Sequence, residues 1–335
     1  MTQGSALQKR IDWVDTARAI GILAVVLCHA KVPLVQKYAV GPFEVTIFFF
    51  ISGYLFFKKE QPDLKTFLTK KVKALLLPYA VFSVMWMVYD WCFLCIDGTL
   101  SVQSAFKVVL QYGLQIRMKP IWFLTCLFLS ECALYIIVRL VKNKKIFLFA
   151  TAAGMVCLAY AYYRFVNKAL PWNADLCLVA IPFMLAGYLA RAYGVLEHIH
   201  QKARWIVFFA STALYLAINY LNVREISGID LFYNQFGNMF VFFASALAAI
   251  VAVIAFCKIL PPTKVLTYIG RNSLFIFATH NMIIAPLLRF LPYDLEQNDS
   301  IAVLIKIGIF LLATAVCCML NAGIMKTRLK KLLGK

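Results

Sequence analysis

Long apolar runs alternate with short polar, mostly basic segments along the whole chain. Ten runs stand out, at 17–35, 43–57, 74–96, 121–140, 146–163, 175–193, 204–221, 236–258, 267–291 and 301–325. Most hold the roughly 20 residues that an α-helix needs to cross about 30 Å of hydrocarbon. The run at 43–57 is short and depends on its neighbours' packing or on a thinned bilayer. The longest connection, 97–120, leaves no room for a soluble domain. The pattern predicts an all-α fold, a polytopic membrane bundle of about ten transmembrane helices, with residues 1–335 forming one membrane-embedded domain.

Charge sets the orientation of that bundle. With the N-terminus inside, 23 of the 34 Lys and Arg residues fall on cytoplasmic segments, 58–73 and 326–335 above all. Ten fall on outer segments or outer span ends, and Arg18 lies within the first run. This asymmetry follows the positive-inside rule and predicts that both termini are cytoplasmic. The run Lys58, Lys59, Lys65, Lys70, Lys71, Lys73 is read first as an anchor against anionic lipid. A second role, attracting an anionic cytosolic ligand, stays open beside it.

Composition agrees with a lipid solvent. The chain is 63% hydrophobic and 15% charged, against about 45–50% and 25% in soluble domains. The topology signal accounts for the net charge of +19 without a nucleic-acid partner. The polar start Thr2–Asp15 meets the first run without a small-residue cleavage site, so the first span is expected to be retained. The ten cysteines lie almost wholly in apolar runs and read as small hydrophobes, the Cys92–Cys95 pair included. The four histidines, 29, 198, 200 and 280, form no metal-ligand spacing with carboxylates, so no metal is expected. His198 and His200 fall on a cytoplasmic loop, where they are expected to be solvated.

The chemistry sits in the polar residues that interrupt the spans. Arg18 and His29 are eleven positions apart, roughly three helical turns, so both project from one face about 16 Å apart. Ionisable groups are costly in a bilayer and face a bundle interior or a wet cavity. Two of them on one face predict a polar track through the membrane. Glu131 falls mid-span, where a carboxylate must be neutral or paired. It is read either as helix–helix glue or as part of a site. His280 is read as a hydrogen-bonded structural group or a substrate contact. Ser52-Gly53 permits close helix approach or leaves space for a ligand. Tyr233–Asn238, with Asn234 and Asn238, and Pro171–Asp175 put amide and aromatic side chains at a membrane face, where they suit sugar hydroxyls and rings and also suit helix capping and the aromatic belt.

Several segments together resemble a known family. They are Arg18 and His29 with ten residues between them, Phe48-Phe49-Phe50-Ile51-Ser52-Gly53-Tyr54-Leu55, and Lys70-Lys71-Val72-Lys73 before Leu77-Pro78-Tyr79. With Ile121–Leu124 and Ser273–His280 in order after them, they resemble the acyltransferase-3 family of membrane proteins. The stretch Ile181–Tyr188 is similar to the fucose 4-O-acetylase-like branch. The resemblance covers nearly the whole chain. It implies a multi-pass protein of the inner or plasma membrane that moves an acetyl or related acyl group from cytosolic acetyl-CoA to a hydroxyl. The acceptor it implies is an extracytoplasmic or lipid-linked glycan. Arg18, Lys70 and Lys73 would then hold CoA. His29 would act as general base or acyl carrier, with Glu131 beside it in the chemistry. Ser52, Trp122, Asn234, Asn238 and His280 would contact substrate. Lysines stand where family members often carry arginines, which removes the guanidinium fork at 70 and 73.

Two other classes remain in view. A transporter would use Arg18, His29 and Glu131 as a substrate or proton path and predicts internal repeats with broken spans. A membrane protein without chemistry gives no reason for ionisable groups aligned on one span.

Overall fold

The computed structural model describes residues 11–33, 35–58, 61–142, 144–197, 200–224, 228–291, 295 and 299–333. His198, expected on a solvated loop, lies outside them; His200 is exposed. The described chain is helical throughout, with a single bridge pair, Asp230 and Gln235, in place of any sheet.

The helices are α1 (Asp12–His29), α2 (Thr46–Phe56), α3 (Leu64–Lys71), α4 (Leu77–Ile96), α5 (Val102–Leu114), α6 (Trp122–Leu140) and α7 (Lys145–Phe165). There follow α8 (Cys177–Ala192), α9 (Gln201–Val223), α10 (Met239–Ile259), α11 (Lys264–Arg271), α12 (Ser273–Phe290) and α13 (Ser300–Met325). Eight helical stretches are long and apolar enough to cross a membrane: 64–96, 122–140, 145–165, 171–192, 201–223, 239–259, 273–290 and 300–325. At the two remaining predicted positions stand α1, which carries Asp12, Asp15 and Arg18, and α2. With eleven residues, α2 is about 16 Å long, well short of the hydrocarbon thickness. It is carried by its neighbours. The protein is an all-α polytopic membrane bundle.

The structure revises three of the expected boundaries. The connection 97–120 contains α5, opened by a capping box in which Ser101 and Ser104 exchange side-chain and backbone hydrogen bonds. The basic segment at 64–73 is itself helical and runs through a π-helical turn, Val72–Leu76, into α4. The run 267–291 is two elements, divided at Asn272, whose Nδ2 donates to the Tyr268 carbonyl.

Burial separates centre from rim. In the most apolar window of 171–192, 72% of residues are buried, against 11% in 145–165. The helix α8 is therefore a core element, and α7 turns most of its side chains to the surrounding solvent, here lipid. The close crossing of α2 and α8 rests on two glycines. A Cβ at Gly53 would lie on the Met184 carbonyl, and one at Gly187 on the Phe50 carbonyl. Backbone thus meets backbone across the pair, the small-residue packing that membrane helices use. Gly270 brings α11 against the Asp15 carbonyl of α1 in the same way.

Gly53→Ala is expected to cost about 3 kcal/mol or more, because the obstacle is backbone rather than a movable side chain. Gly154→Ala and Gly308→Ala, with nothing within 4 Å of the added Cβ, are expected to be neutral or mildly stabilising. Thermal unfolding of the detergent-solubilised variants measures both. Equal melting of Gly53→Ala and Gly154→Ala would show that the α2–α8 crossing is looser than described.

Candidate active site

Arg18 and His29 stand at opposite ends of a run of cavities, as the helix period requires. Arg18, from the second turn of α1, lines two adjoining cavities of about 240 and 280 Å³, which also share Ser52 of α2 and Glu131 of α6. The first is closed by Phe123, Arg271 and Phe277, and the second reaches Lys58, Lys70 and Lys71. Together they form the Arg18 vestibule. His29, the last residue of α1, lines a separate cavity of about 580 Å³ with Glu44, Trp122, Asp230, Asn281 and Phe277. Phe277 borders both spaces, and its ring lies 5.2 Å from that of Phe123.

Glu131 is the centre of the vestibule. Its carboxylate is 4% exposed; Oε1 receives the Ser52 hydroxyl at 2.6 Å and the Lys71 ammonium at 2.8 Å. The ammonium also lies 5.9 and 6.0 Å from the ring centres of Phe56 and Phe67. A buried carboxylate needs such a counter-charge, and removing one partner of a buried pair leaves the other uncompensated. Glu131 Oε2 is buried and has no hydrogen-bond partner among the described residues. One carboxyl oxygen thus holds the vestibule together while the other is unused. Beside it, Arg271 donates to Asp15 at 3.2 Å and ties α11 to α1.

His29 has a defined orientation. Its Nδ1 lies 3.0 Å from the Val25 carbonyl, one turn back. A carbonyl only accepts, so Nδ1 carries the proton in that bond and Nε2 keeps its lone pair. His29 is exposed to its cavity, while His280 is fully buried behind it, edge-on with ring centres 4.7 Å apart. His280 repeats the arrangement: Nδ1 lies 2.9 Å from the Ile276 carbonyl, and Nε2 is buried without a partner among the described residues. His280 therefore supports the His29 ring and is placed behind it rather than on the cavity wall.

The sequence-predicted residues divide into groups. Arg18, Ser52, Glu131 and Lys70 meet in the vestibule, and His29 meets Trp122 in the larger cavity. Among these cavities of the described residues, Glu131 shares a space with Arg18 and none with His29. Lys73 is exposed on the turn after α3 and lines neither space. Asn234 and Asn238 border a third cavity, between Tyr160 and Tyr163 of α7 and the start of α10. Asn238 caps α10, accepting from the Phe240 and Val241 amides. Asn234 Oδ1 accepts from Arg117 at 2.6 Å.

That arginine organises the loops around the large cavity. Arg117 also donates to Asn173 at 3.0 Å and to Asp175 at 2.5 Å, and Tyr163 adds a bond to Asp175 at 3.1 Å. The segment Pro171–Asp175, read as a sugar or belt element, is thus the receiving end of an ion-paired lock. Sequence reasoning did not reach Lys71 as the partner of Glu131, nor Arg117 or Glu44. Their partners lie 60, 58 and 16 positions away, and no local spacing announces them. Among the described residues no group of three His, Cys, Asp or Glu is placed to hold a metal ion.

No curated protein and no solved structure is a match for this chain. A family model described as an acyltransferase domain matches residues 11–322. That span takes in Arg18 and the vestibule, His29 and its cavity, and all thirteen helices but the last three residues of α13. The chain belongs to the acyltransferase-3 family and is a membrane acyltransferase.

Proposed function

We propose that the protein transfers an acyl group, acetyl first among them, from cytosolic acyl-CoA held in the Arg18 vestibule to a hydroxyl in the His29 cavity. The acceptor is an extracytoplasmic or lipid-linked glycan, and the setting is a plasma or inner membrane with both termini cytoplasmic. One observation carries the reading: a single helix delivers a cation to one cavity and a base with a free lone pair to the other, with Phe277 bordering both.

The vestibule suits the donor. Arg18, Lys58, Lys70 and Lys71 surround it, and cationic side chains recognise phosphate through charge-assisted hydrogen bonds. Glu131 Oε2 is placed to accept from an amide N–H of the pantetheine arm. The thioester then lies toward Phe277, and the aromatic contact between Phe123 and Phe277 opens as the arm advances.

The reaction balances without a further reagent. The acceptor hydroxyl attacks the thioester carbonyl, the new C–O bond forms, and the C–S bond breaks. His29 Nε2 takes the hydroxyl proton and returns it to the departing thiolate, so the products are an O-acyl ester and CoA. A positioned histidine is suited to this, since its ordinary pKa is near neutral. The C-terminal end of α1 carries negative partial charge, which favours the imidazolium formed midway.

The test is reconstitution. Protein in liposomes is supplied with labelled acetyl-CoA on the cytoplasmic face, and glycans from cells with and without the gene are analysed by mass spectrometry. Labelled ester on the glycan, absent when the gene is deleted, is the expected result. Ester formation only when CoA is supplied to the opposite face would overturn the assignment of the two cavities.

A further inference from the structure

Glu44 has no part in the chemistry described so far, yet it lies within the His29 cavity. It sits on the turn at 41–45 that leads into α2, and its amide donates to the Val40 carbonyl at 3.1 Å. The same turn is fastened by the Thr46 hydroxyl on the Pro42 carbonyl at 2.7 Å. The backbone at this position is therefore fixed. The carboxyl group faces the thiol of Cys28, the residue beside His29. One of its oxygens, Oε2, is buried and has no partner among the described residues.

A buried polar atom without a partner is unfavourable, and one that lines a cavity is satisfied when a ligand brings a donor. The remaining lining narrows the donor. Asp230, on the same cavity, spends its Oδ1 on the amides of Phe232 and Tyr233 at 2.8 and 3.3 Å. Lys119 and Arg289 are paired with Asp90 and Asp97 at 3.1 and 2.6 Å. Trp122 adds an apolar indole, and Asn281 an amide, to the wall. An unpartnered carboxyl oxygen on a wall that also carries an indole calls for a hydroxyl donor on a ring with an apolar face. A cavity of about 580 Å³ is within the ordinary range of small-ligand sites.

We propose that Glu44 positions the acceptor, taking a hydrogen bond from a second hydroxyl adjacent to the one that His29 deprotonates. The preferred acceptor is then a vicinal diol of a pyranose ring. This rests on the acyltransferase reading above. Glu44 does not move the transferred proton; it fixes which hydroxyl of the diol meets the thioester.

The measurement uses reconstituted full-length protein, labelled acetyl-CoA, and a panel of methyl hexopyranosides with their monodeoxy derivatives. Glu44→Leu is expected to raise KM for the best glycoside by about 10- to 100-fold, with kcat much less affected. Glu44→Gln keeps an acceptor oxygen at the same place and is expected to raise KM less, by about 3- to 10-fold. Removing the neighbouring hydroxyl should cost the wild type a similar factor and cost Glu44→Leu nothing more, as a double-mutant cycle requires. CoA affinity, read at the vestibule, reports correct folding of each variant. Where Glu44→Leu has lost it, the cycle is completed with Glu44→Gln. An unchanged KM, or an equal deoxy penalty in wild type and variant, overturns the role of Glu44. A wild type that acylates no glycoside in the panel overturns both this role and its acceptor class, and failure to acylate any hydroxyl compound overturns the proposed transfer to a hydroxyl beneath them.

Discussion

His29→Ala is expected to lower acyl transfer by about 10²-fold or more while leaving CoA affinity within about twofold of wild type. The separation follows from where the side chain lies. His29 lines the larger cavity with Trp122 and Glu44, whereas CoA is assigned to the space lined by Arg18, Ser52 and Glu131. Loss of the imidazole removes the group that takes the hydroxyl proton and touches none of the cations that hold phosphate. His29→Gln restores a hydrogen-bonding side chain without a titrating nitrogen, so it should remain slow. Replacing the residue behind it gives a graded control. His280→Phe keeps an aromatic edge against His29 and should lose less than His29→Ala. Paired measurements of turnover and CoA binding on purified protein decide the matter. Full turnover in His29→Ala would remove the base, and loss of CoA binding in that variant would place the donor in the larger cavity instead.

Eight of the ten spans, and the two ends of the line of cavities, were legible because bilayer physics writes them into local sequence. A helix that crosses lipid must be apolar over about 20 residues, and eleven positions place two side chains on one face. What joins separate helices was not legible. Glu131 stood out as a buried carboxylate, but its counter-ion among Lys70, Lys71 and Lys73 is chosen by the helical course of 64–76. That course points Lys71 inward and leaves Lys73 exposed. The helix α5 was hidden by its moderate polarity, although Ser101 and Ser104 form its cap. Asn234 and Asn238 have the side chains of sugar ligands and serve a loop lock and a helix cap. The stretch Ile181–Tyr188, which suggested a particular branch of the family, packs Gly187 on the Phe50 carbonyl. Its residues serve the α2–α8 crossing.

Arg18→Ala is expected to weaken CoA by about 10- to 100-fold, the loss of one or more charge-assisted contacts to phosphate. Arg18 is half-buried on α1 and lines both parts of the vestibule, so its charge is less screened than that of the exposed Lys70. Lys70→Ala should therefore cost several-fold less. Arg18→Lys should recover only part of the affinity, because a compact ammonium does not reproduce the two-pronged guanidinium. Lys71→Ala is a different experiment: it strips Glu131 of its counter-ion and is expected to destabilise the vestibule itself. Pantetheine, which has the arm and thiol of CoA without its phosphates, separates the two effects. Arg18→Ala should bind pantetheine as the wild type does, while Lys71→Ala should bind both ligands poorly. Isothermal titration of the wild type and the four variants with CoA and pantetheine gives the answer. If Arg18→Ala lost pantetheine as completely as CoA, Arg18 would be a support of the cavity wall, and the phosphates would have to be held by the lysines alone.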